Sequence, residues 1–146
     1  MHQMPPRKSQ LPLAQVAALP VHHTDDGFTE VLLVTTRDTG RWVVPKGWPM
    51  PGKRDCDAAA IEAMEEAGAV GSVDEEPFGG FRYFKRRAGH FDLVEVTAYR
   101  LRVAELLRKW PEQSKRQRRW FKPDRAAELV QEPGLAALLL KIAAQD

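Results

Sequence analysis

The chain has 146 residues, 43% hydrophobic and 29% charged, with a net charge of +2. That composition suits one globular domain with a buried core and excludes a disordered chain. No apolar run nears the roughly 20 residues a bilayer span needs, the start lacks a secretory pattern, and a lone Cys56 excludes an internal disulfide, so the expectation is a cytoplasmic protein.

Residues 1–12, polar and proline-bearing, read as a flexible arm, and 13–146 as a single domain. Ala14–Val21 and Thr29–Thr36 are apolar or β-branched runs separated by the polar, glycine-bearing His22–Gly27, which predicts two strands joined as a hairpin. Arg41–Val44 predicts a short strand that Pro45 ends. Gly47–Gly52, with Pro49 and Pro51, is a loop. Asp55–Ala67 is the clearest helix: Asp55 suits the N-cap, alanines fill the interior, and Gly68 stands where a C-terminal glycine belongs. Phe78–Lys85 and Phe91–Val103 read as strands, and Arg118–Phe121 as a short one. Helices over Asp124–Val130 and Gly134–Ala144 follow. The order predicts an α/β fold of the α+β kind, a mixed β-sheet sandwiched between helices.

On a helical wheel, Cys56, Ala60, Ala63, Met64 and Ala67 share the side a core would cover. Glu62, Glu65 and Glu66 stack opposite them within about one turn. No lysine or arginine inside the helix neutralises them. Such a cluster is either a solvated acidic face or a seat for a hard divalent cation, for which Mg²⁺, with its preference for oxygen, is suited. Acids gather at Asp55–Glu66 and Asp74–Glu76, bases at Arg82–Arg87 and Lys115–Arg119. The separation fits an anionic ligand gripped by the bases and reached by a metal on the acids, or else two solvated faces. His22, His23 and His90 show no metal spacing; Trp42, Trp48, Trp110 and Trp120 read as packing residues, with stacking on a nucleobase as the alternative.

Gly47 followed by Glu62-Ala63-Met64-Glu65-Glu66-Ala67-Gly68-Ala69 resembles the Nudix box, G-x5-E-x7-R-E-U-x-E-E-x-G-U with U aliphatic. Trp42–Gly47 resembles the strand that leads into the box. Arg118-Arg119-Trp120-Phe121 is similar to the late strand of diphosphoinositol polyphosphate phosphohydrolases. The resemblance implies a Nudix-type fold and hydrolysis, with Mg²⁺ or Mn²⁺, of a phosphoanhydride bond in a small, highly phosphorylated molecule. A diphosphoinositol polyphosphate or a diadenosine polyphosphate is the kind of substrate it suggests.

By the same resemblance Glu62 and Glu66 would be metal ligands, joined by the backbone carbonyl of Lys46. Glu65 would be a further ligand or the base that activates water, with Glu112 and Glu95 as other candidates for the base. Gly47 and Gly68 would shape the loops. Arg37, Arg41, Lys46, Lys53, Arg54, Lys115 and Arg118 are the phosphate-binding candidates. Two positions depart from the box: Lys53 replaces its spacer glutamate, and Ile61 replaces the arginine that orients the glutamates. Support for the carboxylates must then come from elsewhere, or turnover is modest. Ile61 and Lys53 also favour a second reading, a catalytically weak domain that senses a phosphorylated ligand. A third, an RNA-binding module using Lys115–Arg119 and Trp120, ranks last for want of paired aromatics on a strand. The expected partner is a small polyphosphorylated substrate, with no membrane, and no feature specifies an oligomer.

Overall fold

The structure, a computed structural model, describes residues 12–145; apart from Pro12, the expected arm lies outside the described residues. The elements are β1 (Leu13–His23), β2 (Thr29–Thr35), β3 (Trp42–Val43), β4 (Lys46–Gly47), α1 (Asp55–Ala67), β5 (Ala69–Val73), β6 (Gly79–Arg87), β7 (His90–Leu106), β8 (Arg118–Phe121), α2 (Pro123–Leu129) and α3 (Pro133–Ala144).

The strands form one eight-stranded mixed sheet. Its centre is a parallel pairing of β1 with β7, from Leu13 opposite Val94 to Val21 opposite Arg102. Every other pairing is antiparallel: β2 and β4 with β1, β3 and β8 with β2, β5 and β6 with β7. Helices cover both faces, which is why β1 and β2 are apolar almost throughout rather than alternating. Ala17, Leu19, Val31 and Leu33 face Leu135, Leu138, Leu139 and Ile142 of α3, with Ala126 of α2. Their neighbours Val16, Ala18, Leu32 and Val34 face Cys56, Ala59, Ala63 and Ala67 of α1. Alanines on that side of α1 let the helix lie close to the sheet.

Three details differ from the sequence expectation. Arg54, extended at φ −65° and ψ 152°, occupies the N-cap without a side-chain cap bond, and Asp55 is already helical. Asp55 and Asp57 sit in the first turn, where negative charge suits the helix dipole. The buried stripe of α1 is also rotated: Ala58, Ala59 and Glu66 are buried, while Ala60 and Met64 lie at its edge. Finally, β4 and β5 are strands the sequence pattern did not announce. β4 has two residues and β5 reads Ala-Val-Gly-Ser-Val, so neither is long or apolar enough to carry a period.

Candidate active site

The C-terminal end of α1 is where the site begins. The last carbonyls of a helix lack partners within it, and here the β7–β8 segment supplies them. Glu112 N–H donates to the Glu65 carbonyl at 3.0 Å, and Leu107 N–H to that of Gly68 at 2.8 Å. Trp110 Nε1 donates to the Glu66 carbonyl at 3.0 Å, and Arg118 Nη1 to that of Ala67 at 2.9 Å. Four consecutive carbonyls are thereby satisfied. Gly68 turns the chain at φ 65°, a left-handed conformation. A Cβ there would press against Arg118 Nη1 at 2.7 Å. The Arg118 guanidinium lies 3.8 Å from the Trp110 ring centroid, bringing positive charge to a helix end with no basic residue in its last turn.

The same turn of α1 carries the carboxylates. Glu66 is only 5% exposed. Its Oε1 accepts from the Lys46 backbone N–H at 3.4 Å, and its Oε2 lies 3.9 Å from Arg116 Nη2. Burial pushes the Glu66 carboxyl up to about 8; Arg116 opposes the rise, and Glu62 adds to it. Burial raises Glu62 too, as do the charges of Glu65 and Glu112, while its hydrogen bond with Glu66 opposes the rise. Both carboxyls are therefore harder to ionise than a solvated glutamate. Gly47 faces the pair: any Cβ at that position would overlap the Glu62 carboxyl. The glycine is needed there for space.

Arg116 is the residue the sequence reading missed. Its Nε donates to Glu112 Oε1 at 2.7 Å and its Nη1 to the Thr35 carbonyl at 3.0 Å, with a side chain only 13% exposed. A guanidinium thus comes within 3.9 Å of Glu66 from outside the helix, where Ile61 offers none. Glu112, in turn, stands beside the cluster. Glu95 does not, being paired with Arg82 at 2.9 Å on the exposed side of β7.

Glu66 opens onto a cleft of about 860 Å³. Arg37, Arg41 and Lys46 line it, as do Arg82, Tyr83, Lys85, Arg86, Arg116 and Glu132. Four of the sequence candidates lie elsewhere. Lys53 sits in an exposed turn, its N–H bonded to the Met50 carbonyl at 3.1 Å. Arg54 is paired with Asp57 at 2.8 Å and Glu75 at 3.4 Å, and these carboxylates hold its pKa up. Lys115 is exposed in the loop before β8. Arg118 is committed to α1, as described. The cations that replace them in the cleft come from the two basic runs, and those runs were the available signal. Burial lowers the pKa of the Lys46 ammonium, while Glu66 and Glu132 work against that; it lies 5.1 Å from the Tyr83 ring centroid.

Among the described residues, no three histidine, cysteine or acidic side chains form a ready-made metal cage. The contact seen from Lys46 is its N–H rather than its carbonyl. What remains is the buried Glu66 carboxylate with the half-buried Glu62 carboxylate close by. An all-oxygen donor set, repelled within itself until a cation enters, fits a hard divalent ion that keeps several waters. It does not fit a site built on nitrogen and sulfur.

The NUDIX domain family model matches residues 13–141. The chain is 35% identical over 100 residues to Nudix hydrolase 18, mitochondrial, of Arabidopsis thaliana, covering 68% of this chain and 54% of that one. It is 36% identical over 105 residues to diphosphoinositol polyphosphate phosphohydrolase 3-beta of Bos taurus, covering 70% and 60%. The chain spans about half the length of the first of these relatives and somewhat more of the second. Among solved structures, a C. elegans Ap4A hydrolase binary complex superposes with a TM-score of 0.67 at 20% identity, covering 91% of this chain and 96% of that one. The NUDIX domain of Shewanella oneidensis NrtR complexed with ADP ribose gives 0.67 at 16%, covering 92% and 87%. These likenesses show a shared fold. With a family match spanning nearly every described residue, the chain belongs to the Nudix hydrolase family.

Proposed function

We propose that this chain hydrolyses a phosphoanhydride bond in a small polyphosphorylated molecule, with Mg²⁺, or Mn²⁺ in its place, held by Glu62 and Glu66. The observation that carries the reading is the buried Glu66 at one wall of a cleft rich in arginine and lysine, with the half-buried Glu62 next to it on the same helix. Family membership supports it, since Nudix hydrolases generally use divalent metals. When bound, the ion supplies positive charge to the polyphosphate and acidifies a water for attack.

The protein's own groups do the rest. Arg37, Arg41 and Lys46 grip phosphate oxygens, the arginines as forks and the lysine as a point charge. Arg116 fixes Glu66 and Glu112 in one arrangement, and positioning of this kind is most of what phosphoryl transfer asks of a protein. Glu112 and Glu65 are the candidates for the base. A diphosphoinositol polyphosphate and a diadenosine polyphosphate are the substrates to try first, because relatives and neighbours are named for them. We propose a cytoplasmic setting for the reaction, to which a lone, unbridged Cys56 is suited.

A panel of polyphosphorylated compounds, assayed with Mg²⁺ and Mn²⁺ and read by phosphate release and product mass, tests the proposal. Metal-dependent turnover of at least one member is expected; none at all would leave a ligand-sensing domain as the better reading.

A further inference from the structure

A second cavity, of about 510 Å³, is walled by the end of β1, the start of β2, part of β7 and the end of α3. It shares no lining residue with the cleft. Lys46, on the cleft, pairs with Ala17 of β1. The cavity begins at Val21, roughly 13 Å further along that strand at 3.3 Å per residue. Its floor is apolar, made by Val21, Val103 and Ile142, and none of its lining residues is acidic.

Arg100 and Arg102 stand two apart on β7, and so on one face of it, opposite Leu19 and Val21 of β1. One carboxylate serves both: Asp74 accepts from Arg100 Nε at 3.3 Å and from Arg102 Nη1. Two guanidiniums against one carboxylate leave a net positive charge. Gln145 Oε1 takes a further Arg100 donor at 3.3 Å, which still leaves N–H groups of both arginines to give. His23 adds another donor, since Thr29 Oγ1 meets its Nδ1 at 3.1 Å and leaves Nε2 free to donate. Glu30, beside Thr29, is already held by His22 Nε2 at 2.8 Å.

Ion pairing accounts for Asp74 and for Arg100, whose guanidinium also lies 5.4 Å from the Phe78 ring centroid. It does not account for a cavity of ordinary ligand size with an apolar floor, bordered by His23 and by an Arg102 side chain that is 57% exposed. The surplus charge suits an anion, and the floor suits carbon. We infer that this cavity is a second ligand site, taking a small organic anion. A carboxylate or phosphate monoester meets Arg102 and His23, and its apolar body rests on Val21, Val103 and Ile142. The site is separate from the polyphosphate cleft and does not depend on what the cleft does.

The test is a titration of ¹⁵N-labelled protein followed by amide chemical shifts. Benzoate and phenyl phosphate are the anionic probes, which tell carboxylate from phosphate, and benzyl alcohol is the neutral control. At least one anion is expected to shift the amides of Val21–His23, Arg100–Val103 and Ile142–Gln145, and to bind about tenfold tighter than benzyl alcohol. Arg102→Ala should weaken that anion about tenfold, the worth of one hydrogen bond between charged groups. His23→Ala, at an exposed position, should weaken it less and leaves the Asp74 pairs intact. Shifts confined to cleft residues such as Lys46, Arg82 and Tyr83, or no shifts with either anion, would overturn the assignment. So would benzyl alcohol binding as tightly as the anions, or an affinity unchanged in both variants.

Discussion

Arg116 and Glu66 face each other at 3.9 Å across the carboxylate cluster, and the same guanidinium holds Glu112 at 2.7 Å and the Thr35 carbonyl at 3.0 Å. Three partners for one planar group leave it little freedom. Arg116→Ala should lower kcat about 10- to 100-fold, the usual cost of removing a group that orients metal-binding side chains, with a smaller change in KM. Arg116→Lys should not restore the rate, since an ammonium cannot span the three contacts. Ile61→Arg with Lys53→Glu should change turnover by less than about threefold, because Glu66 already has its arginine. A large gain from that double change would show that Arg116 does not fill the role.

Gly47 carries no Cβ because the Glu62 carboxyl occupies the space. The obstructing atoms are the end of a flexible side chain, so the Gly47→Ala protein should fold, with a stability change under about 1 kcal/mol. The glutamate must swing aside to admit the methyl group, and a misplacement of ~1 Å can cost of order 10²-fold in rate. Thermal melts and kcat measured together check this: an unstable but fully active variant would contradict it.

The helix that carries the glutamates was legible because its signals are local: an alanine-rich interior, Gly68 behind it, and three carboxylates at fixed spacing. The layered fold followed from strands whose apolar runs are continuous. The rest of the site depends on pairings across the chain, which no local period records. Arg116 meets Glu66 only because the β7–β8 segment folds back over the end of α1. Glu132 reaches the cleft from a turn between two C-terminal helices. Arg118 shows the opposite failure: its basic run pointed to phosphate, while folding gave its guanidinium to a helix carbonyl.

That assignment of Arg118 has its own test. Arg118→Ala removes a donor from the Ala67 carbonyl and a cation from the face of Trp110. Unfolding in urea should show a loss of about 1–3 kcal/mol, the sum expected for an unmatched carbonyl and a partly exposed cation–π contact. KM for a polyphosphate should stay near the wild-type value. An increase in KM at unchanged stability would return Arg118 to the substrate.

The buried Glu66 carboxyl also makes the metal-free protein sensitive to alkali. Glu66 in the folded chain holds its proton to about 8, against 4.5 for an ordinary glutamate, so the folded state binds a proton that the unfolded chain has released. Stability from this group is therefore complete below about pH 4.5 and is lost as pH rises through about 8, at a slope of about 1.4 kcal/mol per pH unit at most. Melts in chelator from pH 5 to pH 9 should fall along that range, and Glu66→Gln should flatten the curve. Added Mg²⁺ should recover the loss at high pH by replacing the proton. A wild-type curve that rose with pH would reverse the sign of this account.

The most direct measurement is the titration of Mg²⁺ into wild type and into the Glu62→Gln, Glu66→Gln double variant at neutral pH, by calorimetry. The account predicts a clear binding isotherm for wild type and an affinity at least about 10- to 100-fold weaker in the variant, with hydrolysis of any cleaved polyphosphate lost in parallel. Equal Mg²⁺ affinity in the two proteins would contradict it and move the metal site away from α1.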